Sequence, residues 1–258
     1  MEPDHSSSIK TLRLLYPEMQ IVGNAKTLQM LDGYYGIHTL TREVKEGESI
    51  SLGKKNLSFY MAPMVHWPEV MVTYCPEHKV LFSADAFGTF GALNGGILDS
   101  QLSLDHFWDE MRRYYACIVG KYGAPVQKAL QKLSGLPIET LCSTHGPVWQ
   151  QEIGRVIGIY DQLSRYEGEP GVVIAYGSMY GNTAQMAEKI ARELAVQGVK
   201  NIIVYNLSYA DISNVIRDIF KYDTLIVGSP TYNGELFPEV GSLLQKISER
   251  CIPVSYTH

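Results

Sequence analysis

Two patterns of apolar and polar positions divide the chain. From residue 172 onward, short apolar runs alternate with runs in which apolar residues recur every three or four positions. The first pattern is typical of strands buried on both faces, and the second is typical of amphipathic helices. The predicted elements are Val172–Tyr176, Thr183–Gln197, Asn201–Leu207, Asp211–Phe220, Thr224–Gly228 and Pro238–Arg250. This strand–helix alternation predicts a doubly wound parallel sheet.

The first 166 residues follow a less regular pattern. Tyr35–Tyr60 alternates loosely and predicts several short antiparallel strands. The other predicted elements are the strands Glu69–Tyr74, Val80–Ser83 and Ile138–Cys142 and the helices Ile9–Leu15, Asp105–Lys121, Val126–Leu133 and Gln151–Tyr166. The polar, Pro- and Gly-rich stretch Glu167–Gly171 predicts a boundary between one domain at 1–166 and another at 171–258. The predicted fold class is α/β throughout.

Composition excludes several classes of function. The net charge is −5, and the part from Gly171 onward contains 7 Lys and Arg residues and 8 Asp and Glu residues. Because neither half is basic, a nucleic-acid partner is not expected. No apolar run approaches the roughly 18 residues of a membrane helix, and the first residues lack the features of a secretion signal. The four cysteines form no C-x-x-C pair, which favours reduced thiols in a cytoplasmic protein.

A hydroxyl-rich loop joins the first strand and helix of the second half. It reads Ser178-Met179-Tyr180-Gly181-Asn182-Thr183. Backbone N–H groups at a helix N-terminus, together with hydroxyl donors, bind phosphate. The loop lacks the Gly-Lys-Ser/Thr ending of a Walker loop and the three spaced glycines of a dinucleotide loop. An ordinary strand-to-helix turn with capping residues is the alternative.

A second loop follows the third strand of the same half. It reads Ser229-Pro230-Thr231-Tyr232-Asn233-Gly234. In an open α/β sheet, ligands bind beyond the carboxyl ends of the strands, where the strand order reverses, so both loops are expected to face one crevice. The two loops resemble the phosphate loop and a ring-lining loop of flavodoxins. That resemblance implies that they bind FMN.

Three candidate metal ligands lie on loops of the first half. His66 stands between two prolines, Asp85 follows the strand that ends near Ser83, and His145 follows the strand that ends at Cys142. Imidazole and carboxylate groups on separate strand-end loops are typical of an enzyme metal site. A structural histidine is the alternative for each of them taken singly.

The N-terminus adds Glu2, Asp4 and His5, although Asp4 or Ser6 alternatively caps the following helix. These residues resemble the end of the H-x-E-x-D-H ligand cluster in one branch of the metallo-β-lactamase superfamily, with the first His falling before Met1. A metallo-β-lactamase-like αββα sandwich followed by a flavodoxin-like domain resembles the flavodiiron proteins. The resemblance implies two iron ions: Glu2 and His66 would bind one, Asp4, His5 and His145 the other, and Asp85 would bridge them.

The family resemblance also implies an activity. Flavodiiron proteins take electrons from a small carrier, commonly rubredoxin, pass them through FMN to the diiron site, and reduce O₂ to water or NO to N₂O. They act as head-to-tail homodimers. Two other functions stay open: a metal-dependent hydrolase fused to an FMN domain, which usually keeps His where this chain has Glu2, and a metal-free FMN electron carrier.

Compared with the family pattern, the sequence lacks part of the sandwich before Glu2 and a third flavin loop after its last helix. We therefore expect a piece of a longer protein. The tail Cys251–His258 leaves the helix-to-strand pattern, so we expect it not to be native sequence and give His258 no role.

Overall fold

The computed structural model describes residues 1–253, so most of the tail, including His258, lies outside the described residues. The chain forms two compact units, each built from two stretches of sequence. The first contains residues 1–104 and 124–158, and the second contains residues 105–123 and those from 159 onward. The sequence-based domain boundary at 167–170 stays a prediction.

The first unit is built on a six-stranded mixed sheet. Its elements are α1 (Pro3–Ser6), α2 (Ile9–Leu15), β1 (Ile21–Gly23), α3 (Ala25–Tyr35), β2 (Thr41–Glu43), β3 (Ser49–Ser51), β4 (Asn56–Met61), β5 (Met71–Cys75), β6 (Val80–Phe82), α5 (Gly123–Leu133), β7 (Thr140–Cys142), β8 (Val148–Trp149) and the start of α6 (Ile153–Ser164). The sheet order is β3-β4-β5-β6-β7-β8, and only β6 and β7 run parallel. Because parallel neighbours end at the same edge, the loops after β6 and β7 emerge side by side.

Side chains from this sheet and its helices form the core of the first unit. Leu81, Leu141, Trp149 and Val156 are fully buried. The indole Nε1 of Trp149 donates a hydrogen bond to the carbonyl of Phe87 at 3.3 Å. The large residue of β8 therefore supports the loop that follows β6.

Two features of the first unit differ from the sequence-based expectation. The loose alternation of Tyr35–Tyr60 predicts antiparallel strands, but β2 pairs in parallel with β1 in a separate two-stranded sheet. Helix α3 is not predicted from the apolar pattern, although its ends carry suitable residues. Asn24 caps it by accepting a hydrogen bond from the N–H of Thr27, and Gly36 ends it in the left-handed conformation.

The second unit contains the parallel sheet that the alternation predicts. Its elements are α4 (Asp105–Tyr114), a π-helical turn (Tyr115–Val119), the rest of α6, β9 (Glu169–Tyr176), α7 (Asn182–Val196), β10 (Ile202–Asn206), α8 (Ile212–Lys221), β11 (Tyr222–Gly228), β12 (Thr231–Tyr232), β13 (Glu235–Leu236) and α9 (Pro238–Glu249). The order β10-β9-β11 is the 2-1-3 order of a flavodoxin-like sheet, with all pairs parallel. The predicted fold class is confirmed.

The predicted helix Asp105–Lys121 is interrupted after Tyr114. A π-helical turn inserts one residue per turn, so Tyr115, Ala116 and Val119 all become fully buried. The turn also lets the carbonyl of Ala116 accept a hydrogen bond from Nε of Arg250 at 2.8 Å. A regular 3.6-residue pattern does not signal this insertion.

Among residues 1–253, no helix is long and apolar enough to cross a membrane.

Candidate functional site

Helix α1 presents the N-terminal candidate ligands. Its anchor is Ser6, which is 2% exposed. The Ser6 hydroxyl lies 2.9 Å from the carbonyl of Glu2 and 2.8 Å from the hydroxyl of Tyr35 on α3. The capping alternative is wrong, because the N-cap position of α2 belongs to Ser8, whose side chain makes no capping hydrogen bond. Asp4 is instead a neighbour of two histidines.

The parallel pair β6 and β7 places two further candidates side by side. The N–H of Ser83 donates to the carbonyl of Cys142 at 2.9 Å, and the N–H of Thr144 donates to the carbonyl of Ala84 at 3.0 Å. These bonds continue the strand pairing into the loops. They bring Asp85 and His145 together although 59 residues separate Asp85 from Thr144.

All six candidate metal ligands converge in the first unit. Nε2 of His5 lies 2.8 Å from Oδ1 of Asp85 and 3.5 Å from Oδ2 of Asp4. Nε2 of His145 lies 3.5 Å from each of the same two oxygens. The third imidazole, on His66, approaches Oε2 of Glu2 at 3.1 Å and Oδ2 of Asp85 at 3.2 Å.

The two oxygens of Asp85 divide these residues into two groups. Oδ1 faces His5 and His145, and Oδ2 faces His66. A carboxylate placed in this way is suited to bridging two cations, one at each oxygen. On these distances Glu2 lies on the side of His66, and Asp4 lies on the side of His5 and His145. Ligand atoms of Glu2, His5 and Asp85 also lie within 4.8 Å of one another, and the division of the six residues between two ions stays a prediction.

The donor set fits metal ions better than hydrogen bonds alone. Each imidazole Nε2 faces two carboxylates, yet a ring nitrogen carries at most one proton to donate. With metal–ligand bonds of about 2.1 Å, adjacent ligands stand about 3.0 Å apart around an octahedral ion and about 3.4 Å apart around a tetrahedral one. The observed separations of 2.8 to 3.5 Å span these values.

The charges of the cluster perturb its acid–base behaviour. Burial favours the neutral form of Asp85, but hydrogen bonds from His66 and Thr144 and the charge of His5 hold the pKa of Asp85 well below its usual range. Burial opposes the charged form of His66, yet the carboxylates of Asp85 and Glu2 raise its pKa. Burial, with the negative charges of Asp85 and Asp4, raises the pKa of Glu2 against the effect of His66. Concentrated negative charge of this kind attracts cations.

Sequence reasoning missed the residues that support the ligands. The hydroxyl of Thr144 donates to Oδ1 of Asp85 at 2.6 Å. Thr89 donates its N–H to the carbonyl of His145 at 3.3 Å, and Gly146 packs against the Thr89 side chain with φ +84°. The sequence offers one signal for such a supporting role, namely that the hydroxyl-bearing Thr144 directly precedes the candidate ligand His145.

In the second unit, the candidate phosphate loop lies at the carboxyl end of β9. Its middle residues are exposed, and Tyr180 is 86% exposed. Helix α7 begins after Gly181, which has φ +86° and no side-chain cap. The N–H of Ala184 in the first turn donates a long hydrogen bond, 3.4 Å, to the Ser178 hydroxyl. The first N–H groups of a helix bind anions, so a loop that ends at the start of α7 and carries hydroxyls fits a phosphate.

The second candidate flavin loop lies beside the first. Its residues Thr231–Tyr232 and Glu235–Leu236 form a hairpin, with Asn233 at φ 50° and Gly234 at φ 81°. Asn-Gly is the preferred pair for this tight turn because both residues tolerate positive φ. Ser229 and Pro230 precede it, and the Ser229 hydroxyl accepts a hydrogen bond from the N–H of Phe237 at 3.0 Å.

Close packing at two glycines joins the loops. The N–H of Gly177 donates to the carbonyl of Gly228 at 3.0 Å. A Cβ on Gly177 would stand 2.3 Å from the ring of Phe237, and a Cβ on Gly228 would stand 3.1 Å from Cγ2 of Thr183. The two candidate flavin loops therefore meet at one edge of the sheet, as the strand order predicts.

Comparisons with known proteins agree with this geometry. Residues 1–146 match the family model "ODP family beta lactamase", and residues 174–252 match the flavodoxin model. A nitric oxide reductase of Moorella thermoacetica is 33% identical over 249 residues, which cover 95% of this chain and 62% of that protein.

Solved structures give the same result. Rubredoxin oxygen:oxidoreductase from Desulfovibrio gigas superposes with a TM-score of 0.89 at 27% identity, over 96% of this chain and 62% of that one. The flavodiiron protein of Giardia intestinalis superposes with a TM-score of 0.85 at 28% identity, over 90% of this chain and 57% of that one. The chain thus spans less than two thirds of the length of each of these proteins.

Proposed function

Because this chain belongs to the ODP family of β-lactamase-like proteins and continues into a flavodoxin domain, as flavodiiron proteins do, we propose that it serves an oxidoreductase that reduces O₂ to water or NO to N₂O. The proposal includes two iron ions in the first unit and FMN in the second. The observation that carries it is the convergence of three imidazoles and three carboxylates around Asp85. The mixed set of hard oxygen and imidazole ligands suits non-haem iron.

The proposed ligands fall into two groups around the shared carboxylate. Glu2 and His66 would hold one ion, and Asp4, His5 and His145 would hold the second. Asp85 would be shared between them. Three carboxylates supply three negative charges, which offset most of the charge of two divalent cations.

In the second unit, the proposed FMN contacts are the residues of the two loops at the carboxyl edge of the sheet. The N-terminus of α7, with Ser178 and Thr183, receives the phosphate by neutral donors. Tyr180 and Tyr232 supply aromatic surface beside a flat ring system. When bound, the cofactors supply the electron transfer and the O₂ or NO chemistry, while the protein holds and orients them.

The electron donor that we propose is a small carrier of the rubredoxin type. The printed name of the Desulfovibrio gigas protein, rubredoxin oxygen:oxidoreductase, supports this choice. We further propose a head-to-tail homodimer and a cytoplasmic location, in keeping with four free cysteines.

The test is anaerobic purification of the full-length protein, with iron and FMN measured per chain and O₂ and NO consumption measured with reduced rubredoxin. We expect two irons, one FMN and consumption of at least one gas. Asp85→Asn should lose iron and activity, whereas Asp32→Asn should keep both, because Asp32 is exposed and paired with His38 outside the cluster. Wild-type protein without iron, or with only hydrolytic activity, would refute the proposal.

A further inference from the structure

We propose that Thr144 is a positioning residue that fixes the bridging orientation of the Asp85 carboxylate through a hydrogen bond from its hydroxyl. The inference rests on the proposed function, because it assumes that Asp85 is shared between two metal ions. It assigns a role to a residue outside the ligand set.

The hydrogen bond is directed and short. The Thr144 hydroxyl lies 2.6 Å from Oδ1 of Asp85. The carboxylate is ionised and only accepts, so the hydroxyl is the donor, and the distance is typical of a charge-assisted O–H···O bond. The Asp85 side chain is 6% exposed, so little water competes for that oxygen.

The choice of oxygen matters for the bridge. Oδ1 is the atom that faces His5 and His145, while Oδ2 faces His66. Rotation about the Cβ–Cγ bond would turn the carboxylate out of the plane that serves both groups. A hydrogen bond to Oδ1 opposes that rotation and still leaves the second lone pair of Oδ1 for a cation.

The backbone holds Thr144 in place independently of its hydroxyl. Its N–H donates to the carbonyl of Ala84 at 3.0 Å. The neighbouring Ser143 hydroxyl donates to the same carbonyl at 3.2 Å. The loop position is therefore set by β6 and β7, and the Thr144 hydroxyl is available for Asp85.

In metal sites generally, the groups around the metal ligands affect how tightly the metal binds. Groups that hydrogen-bond to a metal ligand orient it, and their loss typically weakens metal binding by about 10- to 100-fold. We expect a loss of that size when the Thr144 hydroxyl is removed without a change in side-chain shape. The affected ion is the one on the side of His5 and His145.

The experiment is a titration of the iron-depleted full-length protein with cobalt(II), followed by visible absorption and calorimetry. The variants are Thr144→Val, which keeps the shape, Thr144→Ser, which keeps the hydroxyl, and Thr140→Val as the matched control on β7, where the lost hydroxyl accepts a hydrogen bond from Gln150 and contacts no candidate ligand. We expect two cobalt ions per chain in the wild type. Thr144→Val should weaken one of them about 10- to 100-fold and change its spectrum, while the other two variants should bind like wild type.

Three results would overturn the inference. Thr144→Val with wild-type affinity and spectrum would show that the hydroxyl has no role. An equal defect in Thr144→Ser, or a lowered melting temperature of the metal-free protein in both Thr144 variants, would show a structural role instead. Failure of the wild type to bind a cobalt pair would overturn the proposed function as well, so the two failures are distinguishable.

Discussion

Replacing Gly146 by alanine tests whether the loop after β7 sets the position of His145. A Cβ at this position would stand 2.3 Å from Oγ1 of Thr89 and 3.2 Å from its Cβ and backbone N, and Gly146 has φ +84°. The left-handed conformation costs a non-glycine residue about 1 to 2 kcal/mol. Overpacking of this kind costs about 1 to 3 kcal/mol.

Together these effects amount to about 2 to 5 kcal/mol. Rotation of the Thr89 side chain would relieve the overlap with Oγ1, but the tight contacts with Cβ and the backbone N remain. To relieve those, the loop moves away from Thr89, and His145 moves with it. If metal binding must restore the original position, the affinity falls by about 30-fold or more, since 1.4 kcal/mol corresponds to a factor of ten. The assay is cobalt(II) titration of the iron-depleted full-length protein, together with its thermal unfolding.

The chain provides a matched control and a partial rescue. Gly154→Ala makes the same chemical change in α6, where nothing beyond the neighbouring residues and the helix's own backbone lies within 4 Å of the new Cβ. It should leave metal binding unchanged and stability equal or higher by up to about 1 kcal/mol. Adding Thr89→Ala to Gly146→Ala should recover part of the loss, because it removes the closest overlap and a hydroxyl with no hydrogen-bond partner among the described residues. Equal metal affinity and equal stability of Gly146→Ala and Gly154→Ala would show that the packing of Gly146 on Thr89 does not position His145.

Three further predictions concern a buried carboxylate, a histidine and the flavin. Oδ2 of the buried Asp99 accepts hydrogen bonds from the N–H groups of residues 150–152 at 2.9, 2.8 and 3.0 Å. In denaturant titrations, Asp99→Ala should lower the free energy of unfolding by about 3 kcal/mol, whereas Asp211→Ala, at the exposed N-cap of α8, should lower it by about 1 kcal/mol. Equal losses in the two variants would contradict this prediction. The raised pKa of His66 means that the metal-free protein near pH 7 should release protons when cobalt(II) binds, and that this release, followed with a pH indicator, should fade as the pH rises through that pKa. The stabilisation of the metal-free fold by protonated His66 should likewise be full below about pH 6.5 and disappear above the raised pKa, so stability that instead increases over that range would argue against it. Ser178→Ala should weaken FMN binding about tenfold without loss of iron, as measured by flavin fluorescence and metal analysis, whereas unchanged flavin affinity would remove this residue from the phosphate site.

The second half of the fold could be predicted because its pattern is local. Each strand of the parallel sheet is an apolar run and each helix is amphipathic, so type and order follow from neighbouring residues alone. The π-helical turn at Tyr115 could not, because an extra residue per turn is selected by tertiary contacts such as that from Arg250. The parallel pairing of β1 with β2 also depends on contacts that three-residue strands do not encode.

The candidate site could be predicted in its ligands but not in its support. His66, Asp85 and His145 stand out by residue type and by their place after strands, and the family resemblance relates them to Glu2, Asp4 and His5. The packing of Thr89 on Gly146 and the bond from Thr144 arise only when β6 and β7 lie side by side. The pairing register of two strands that lie about 60 residues apart cannot be inferred from the residues near either strand.

The interleaved course of the chain has a consequence for its biosynthesis. Helix α4 leaves the ribosome before residues 124–158, but its partners are translated later: the Asp109 carboxylate binds Lys221 at 3.1 Å, and the Arg113 guanidinium binds the Ser213 hydroxyl at 3.1 Å. During synthesis the apolar face of α4, which includes Phe107 and Met111, therefore stays unpacked until about a hundred further residues have been translated. A gene split at 167–170 would separate that helix permanently from the segments it packs on, so neither half-gene product would contain a complete second unit.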